Sequence, residues 1–312
     1  MAEPQGNNRI SFLTNPPEGY RVSKHLSDTI LELNLTDRLA IEEEIHGVRC
    51  GAVEETPELL ERSLFEFDEQ LNTIKEEDPD KALLRNVARI SSHNPTAIEG
   101  PMKNCYLNDP DIRLRFLRCE CFVVDKAVHR LISFLEFTSD LFGDYVAERP
   151  IQLSDFNTKD EELALQNSRN QLLPFRDRSG RRVLVGVGNC NFHLDYRLRY
   201  KILIYMHWIA SEDVETQRKG IVIVGWVFDE DGADNIWETS IRPGFRKKVR
   251  LYHQKQNKSL PLREASIHQC FLDTPFFHAL SSLYVFGLDP HHRTLYKKHA
   301  GTLVHHAMNS CL

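Results

Sequence analysis

The run Gly220-Ile221-Val222-Ile223-Val224-Gly225-Trp226-Val227-Phe228 constrains the fold more than any other stretch. A strand with one wet face alternates apolar and polar residues. A strand that is apolar at consecutive positions and rich in β-branched residues is buried on both faces, as in parallel sheets. Upstream, Arg178-Ser179-Gly180 reads as a turn and Arg182-Val183-Leu184-Val185-Gly186-Val187 as a second apolar strand. Between the two runs, Leu198, Ile202, Tyr205, Met206 and Ile209 recur at helical spacing. Strand, helix and strand in this order make a βαβ unit, whose crossover is right-handed in nearly every case. Residues 265–272, ASIHQCFL, predict a further strand, and Pro275 opens a helix carrying Phe276, Phe277, Leu280, Leu283 and Tyr284.

The front of the chain has a different grammar. Residues 1–36 are polar and read as a disordered leader. Residues 37–145 read as a helical segment, and 146–312 as an α/β domain. From Glu42 to Asp80 there are 14 Asp/Glu against three Lys/Arg. Within that stretch Thr56-Pro57 makes an N-cap and first-turn pair, and Leu60, Leu64, Phe67, Leu71 and Ile74 form one apolar stripe on an acidic helix over 56–78. A further helix is expected over 82–90. Asp109-Pro110 opens another with Ile112, Phe116 and Leu117 inward, and after Val124 comes one with Val128, Leu131, Ile132, Leu135 and Phe142 on one face.

Composition narrows the function classes. The chain has 312 residues, enough for a sizeable core, and a net charge of −6, which disfavours a general nucleic-acid binder. Seven cysteines at irregular spacing fit reduced cytoplasmic thiols better than a disulfide framework. The N-terminal residues show no apolar signal region, and no run of about 18 apolar residues exists to span a membrane. Contact with a membrane surface stays open.

The motifs of common catalysis are missing. There is no GxxxxGK[ST], no GxGxxG after a strand, no GxSxG and no HExxH. Cys119-Glu120-Cys121 is too closely spaced for a zinc ribbon pair. Fourteen histidines invite a metal, but His299 and His305 are six apart, and a helix face needs three or four. No metal and no cofactor are expected. His268, inside a strand, reads as a satisfied core histidine before it reads as a catalyst, and Asp273 as a helix cap. No nucleophile is placed for an esterase-like role of His268, so the chain is expected not to be an enzyme.

The helical front carries Asp111-Ile112-Arg113-Leu114-Arg115-Phe116-Leu117-Arg118, then Phe122, then Lys126-Ala127. This resembles the N-terminal helical segment of the CRAL-TRIO proteins, roughly D-x-x-L-x-R-F-L-R-A-x-x-F-D-x-x-K-A. Asp177 to Val183 resembles the family's D-x-x-G-R-P-V strand, and Lys219 to Val224 its central strand. Pro261-Leu262-Arg263, Ser266-Ile267-His268 and Asp273-Thr274-Pro275 resemble its P-x-R, I-H and N-x-P segment. Leu288-Asp289-Pro290 and Lys298-His299 sit where its last helix and strand begin. The resemblance covers roughly residues 80–305 and is closest to an algal branch, in which IHGV (Ile45 to Val48) recurs upstream.

The resemblance implies a lipid-binding fold: a parallel-rich sheet flooring a hydrophobic pocket, with a mobile gate helix that aligns with 275–287. The pocket residues it suggests are Ile223, Trp226, Phe228, His268, Cys270, Phe276, Phe277, Leu280, Leu283 and Tyr284. A plain core helix would show the same stripe over 275–287. Residues Arg242 to Arg263 carry eight Lys/Arg and no Asp/Glu, with Arg246, Lys247, Lys248 and Arg250 near the start of a predicted helix at 243–254. They could dock on an anionic membrane or be an ordinary solvated cationic face. Arg113, Arg115 and Arg118 either extend that patch or pair with the acidic stretch. The expectation is a cytoplasmic, transiently membrane-peripheral carrier or sensor of a hydrophobic ligand such as a phospholipid or isoprenoid-type lipid. The alternative is an adaptor without exchangeable ligand that meets a protein partner through the acidic helix 56–78. Departures from the family are expected to matter. Its inositol-phosphate Thr and Lys align with His292 and Leu295, Val123 replaces the Asp that caps the second helix, and the closing segment after the last strand is short.

Overall fold

The computed structural model describes residues 33–73, 106–167, 169–187, 195–227, 243–288 and 290–301. The helices are α1 (Leu35–Ile45), α2 (Pro57–Thr73), α3 (Pro110–Cys119), α4 (Val124–Phe142), α5 (Lys159–Gln166), α6 (Tyr196–Ala210), α7 (Val214–Lys219), α8 (Pro243–Ser259), α9 (Pro275–Gly287) and α10 (Pro290–Thr294). The strands are β1 (Asn170–Arg176), β2 (Arg182–Val187), β3 (Ile221–Val227), β4 (Glu264–Phe271) and β5 (Tyr296–Ala300). The helix expected over 82–90 lies outside the described residues.

Helix starts follow local chemistry. Asp109 accepts from the Asp111 amide ahead of Pro110, and Thr158 with Glu161 forms a reciprocal capping box. Thr274, and not the expected Asp273, caps α9 with Pro275 in its first turn; Asp273 instead contacts His278 at 2.7 Å. Val123 offers α4 no side-chain cap. The link from α3 to α4 turns through Cys121 and Phe122, both left-handed (φ 50° and 63°), and the Phe122 amide closes the end of α3 on the Leu117 carbonyl at 2.7 Å.

The five strands lie in chain order, β1-β2-β3-β4-β5. β1 pairs antiparallel with β2 through the Asp177–Gly180 turn, and the remaining pairs are parallel. β1 was not legible as a strand. It contains Pro174, which cannot donate to a ladder, and its pairing with β2 shifts between Leu172 and Arg176.

Parallel strands in chain order with right-handed crossovers send every connection over the same face of the sheet. The packing follows this rule. Ile221, Leu184 and Ile223 meet Met206 and Ala210 of α6. Ile267 and Tyr296 meet Val285 of α9 and Leu288. Phe271 meets Phe277. An outer layer of α2, α3 and α4 then packs on α6 and α8. Its apolar cluster runs from Phe67 and Leu71 through Phe116, Leu131 and Phe134 to Tyr200, Ile204, Trp208 and Leu260. One core therefore crosses the boundary near residue 145 that the change of grammar suggests. The opposite face of the sheet carries α1, over β4 and β5.

Gly220 ends α7 and starts β3 at φ 82°, ψ −171°, a region closed to residues with a side chain. A Cβ there would stand 2.7 Å from the Arg263 carbonyl oxygen, which accepts the Ile221 amide at 2.9 Å. Gly220→Ala is expected to lower stability by about 1–3 kcal/mol, read by urea denaturation. A change within error would mean that this junction relaxes freely.

Candidate functional site

The two faces of the sheet differ in what they hold. On the helix-covered face the polar groups are matched to one another. Glu264 contacts His207 of α6 and His292 of α10, each at 3.3 Å. Burial alone would raise the Glu264 carboxyl; the two histidines outweigh it and hold the group well below the ordinary carboxylate range. Tyr296 bonds to Gln269 and lies 3.0 Å from the Ser281 hydroxyl.

The opposite face is an apolar floor. Pairing places Val183, Val185 and Val187 beside Val222, Val224 and Trp226, which lie beside Ser266, His268 and Cys270. Among the described residues the cluster formed here consists of strand residues only, with Leu173 at its edge. Exposure rises toward the C-terminal strand ends: Val183 is 1% and Val222 0% exposed, Val185 and Val224 are each 9% exposed, and Val187 and Trp226 are half-buried.

α1 borders this floor and is fixed by its last turn. The Glu44 carbonyl accepts from Arg181 at 2.5 Å, the Ile45 carbonyl from His268 at 3.2 Å, and the His46 carbonyl from Arg178. Such bonds satisfy carbonyls of the kind a helix end leaves open. The Glu44 carboxylate pairs with Arg263 at 2.7 Å, and Glu42 with Lys297 at 3.2 Å. Arg181 is itself fully buried against Asp177.

His268 Nε2 faces a carbonyl, which only accepts, so Nε2 carries the hydrogen. Nδ1 then accepts from His299 Nε2–H at 2.9 Å, with the two rings stacked at 5.2 Å. Both ring nitrogens of His268 are engaged in this way, and neither is free to serve as a base. Burial, and after it the neighbouring His299, pushes the His268 imidazole down to about 3.

The suggested pocket residues do not share one wall, because side chains alternate along a strand. Trp226, His268 and Cys270 lie on the apolar floor, and Ile223 on the helix-covered face. Phe276, Phe277 and Leu280 gather around Phe271 and Ala300 on the helix-covered side, and Tyr284 stands 37% exposed near Tyr296. The gate-helix candidate α9 is thus part of the layer that covers the sheet. Phe228 and the Leu283 side chain lie outside the described residues, as do the side chains of Arg246, Lys247, Lys248 and Arg250 in the first half of α8. The five floor valines were missed. From Val183 to Val187 and from Ile221 to Val227 both parities are apolar, so only strand order and crossover hand reveal which parity faces away from the helices.

The front arginines pair inward. Arg113 binds Asp68 of α2, and Arg118 binds Glu55 through two bonds of 2.9 Å and Gln217 through one of 2.5 Å. Arg115 lies over the Trp208 ring at 4.5 Å and donates to Ser211 at 3.1 Å. The apolar stripe of α2 is spent on the same core through Leu60, Leu64, Phe67 and Leu71. Ile74 lies outside the described residues.

Among the described residues no helix is long and apolar enough to cross a membrane, and no group of three or more His, Cys, Asp or Glu side chains is disposed to hold a metal ion. No family model matches the chain, and no curated protein matches it.

Proposed function

We propose that this protein binds a hydrophobic, lipid-type ligand, without catalysis, on the apolar floor of β2 and β3; the class of ligand is the one that its resemblance to CRAL-TRIO proteins implies. One observation carries the reading: among the described residues, the sheet face opposite the crossover helices is built from Val183, Val185, Val187, Val222, Val224 and Trp226, and its exposure rises toward the carboxyl ends of its strands. Burying an alkyl chain on such a surface gains about 0.8 kcal/mol per CH₂, so affinity needs no catalytic or charged group.

Two features of the family reading change here. α9 lies across the sheet from the floor, so its opening would not uncover this face. The positions aligned with the inositol-phosphate Thr and Lys are His292, buried against Glu264, and Leu295, also buried. The proposed ligand therefore has no phosphoinositide headgroup to satisfy. The basic residues Arg246, Lys247, Lys248 and Arg250 would bring the protein to an anionic surface, at about 1 kcal/mol for each charge near it. The adaptor alternative loses the apolar stripe of α2, which is engaged in the core.

Native mass spectrometry of the purified protein, followed by solvent extraction, tests the reading. A bound lipid at one per chain is expected, and Trp226→Glu is expected to cut its occupancy about tenfold or more through the cost of desolvating a carboxylate. An apo mass that stays apo after incubation with mixed liposomes would overturn the proposal.

A further inference from the structure

α1 is attached to the sheet at one end. Ile45 is its buried residue, while Leu35 and Leu39 stand 71% and 55% exposed. Apolar burial contributes little along such a helix, and the side-chain bonds to its last turn hold it. Of the three donors to those carbonyls, the two arginines are charged at any working pH. His268 is neutral and becomes charged only in acid.

The stacked pair can take one proton without breaking. The proton goes to His299 Nδ1, and the charged His299 still donates from Nε2–H to His268 Nδ1. A second proton sets N–H against N–H across 2.9 Å. The groups facing the pair make that state costly. Arg181 comes from the β1–β2 turn, with Asp177 behind it and already paired to it. His46 comes from α1, where Glu44 is engaged by Arg263 and Glu42 by Lys297, and Lys297 comes from β5.

We propose that α1 is a strap released by acid: the His268–His299 pair holds its last turn on the sheet while at most one proton is shared, and lets it go when both rings are charged. The inference is independent of the ligand reading. Burial, and then Lys297 and His46, also lower the His299 imidazole. Both rings are thus depressed when α1 is docked, whereas exposed histidines titrate near about 6.5. The released state binds protons more tightly. Docking is therefore complete above about pH 6.5 and is lost as pH falls toward the docked values. Each proton taken up weakens docking by up to about tenfold per pH unit, and two by up to about 100-fold.

Hydrogen exchange on wild-type protein, corrected for intrinsic rates, tests this between about pH 7.5 and about pH 5. Amides of residues 33–50 are expected to lose protection by more than about tenfold, while those of β3 and β4 keep theirs. His268→Gln keeps a donor for the Ile45 carbonyl and does not titrate, so the pH dependence of α1 should vanish. His299→Asn, at a half-buried site on β5, carries the test if His268→Gln does not fold: it should reduce a two-proton slope to a one-proton slope. Loss of protection in α1 and β4 together, or an α1 response unchanged in the variants, overturns the proposal.

Discussion

Arg181→Ala is expected to destabilise the protein by about 3–5 kcal/mol, the range for breaking a buried ion pair from one side. Arg181 and Asp177 are both fully buried along their side chains. The arginine donates from Nε to Asp177 Oδ2 at 2.7 Å and from Nη1 to the Glu44 carbonyl. Truncation leaves a carboxylate in the interior with only the Arg181 amide and Ser179 to satisfy it, and it removes one of the three side-chain bonds to the carbonyls at the end of α1. Against the 5–15 kcal/mol that holds a typical domain folded, this is a large fraction. Urea denaturation measures it. The companion variant Asp177→Asn removes the stranded charge, so the double variant should cost less than the two single costs combined. A loss below about 1 kcal/mol in Arg181→Ala would show that water reaches Asp177 and solvates it.

Trp208→Ala is expected to cost a similar amount, about 3–5 kcal/mol, as a large aromatic removed from a packed core. Trp208 is 3% exposed. It stacks on Phe134 of α4 with centroids 5.3 Å apart and meets Tyr106 edge-on at 6.3 Å, and Arg115 lies over its ring. Trp208 is the point where the crossover helix α6 grips the outer helices. Its removal also strips the ring from beneath a guanidinium that burial already disfavours in its charged form. Trp208→Phe should keep most of the packing and cost well under half as much. Because the cluster crosses residue 145, helical and tertiary signals should melt in one transition in the wild type. Two separated transitions would sink the claim of a shared core.

The legible part of this chain was what repeats. β2, β3 and β4 were readable from apolar runs, α6 and α9 from spacing, and the start of α3 from a cap followed by proline, whereas the cap of α9 was placed on Asp273 and is Thr274. The acidic and basic halves of the front could be seen without telling whether they meet, since i,i+4 patterning says nothing about which neighbour a charge finds. Their pairing as Arg113–Asp68 and Arg118–Glu55 is a tertiary fact. α1 was legible in part: the helical segment was expected to begin near residue 37, but nothing marked Leu35–Ile45 as a helix docked on the sheet, because its contacts run through backbone carbonyls. The floor was hidden for a related reason. In Arg182-Val183-Leu184-Val185-Gly186-Val187 both parities are apolar, so only topology separates the lining face from the covered one.

The strands lie side by side in the order in which they are made. Once the β1–β2 hairpin has formed, each later strand joins the outer edge of a ladder that already exists, and no strand must be inserted between two others. A nascent chain can therefore extend the sheet by one strand at each step of synthesis. Slow, non-local closure is the usual hazard of parallel sheets. Here it is broken into short successive searches, and the last of them concerns β5 alone.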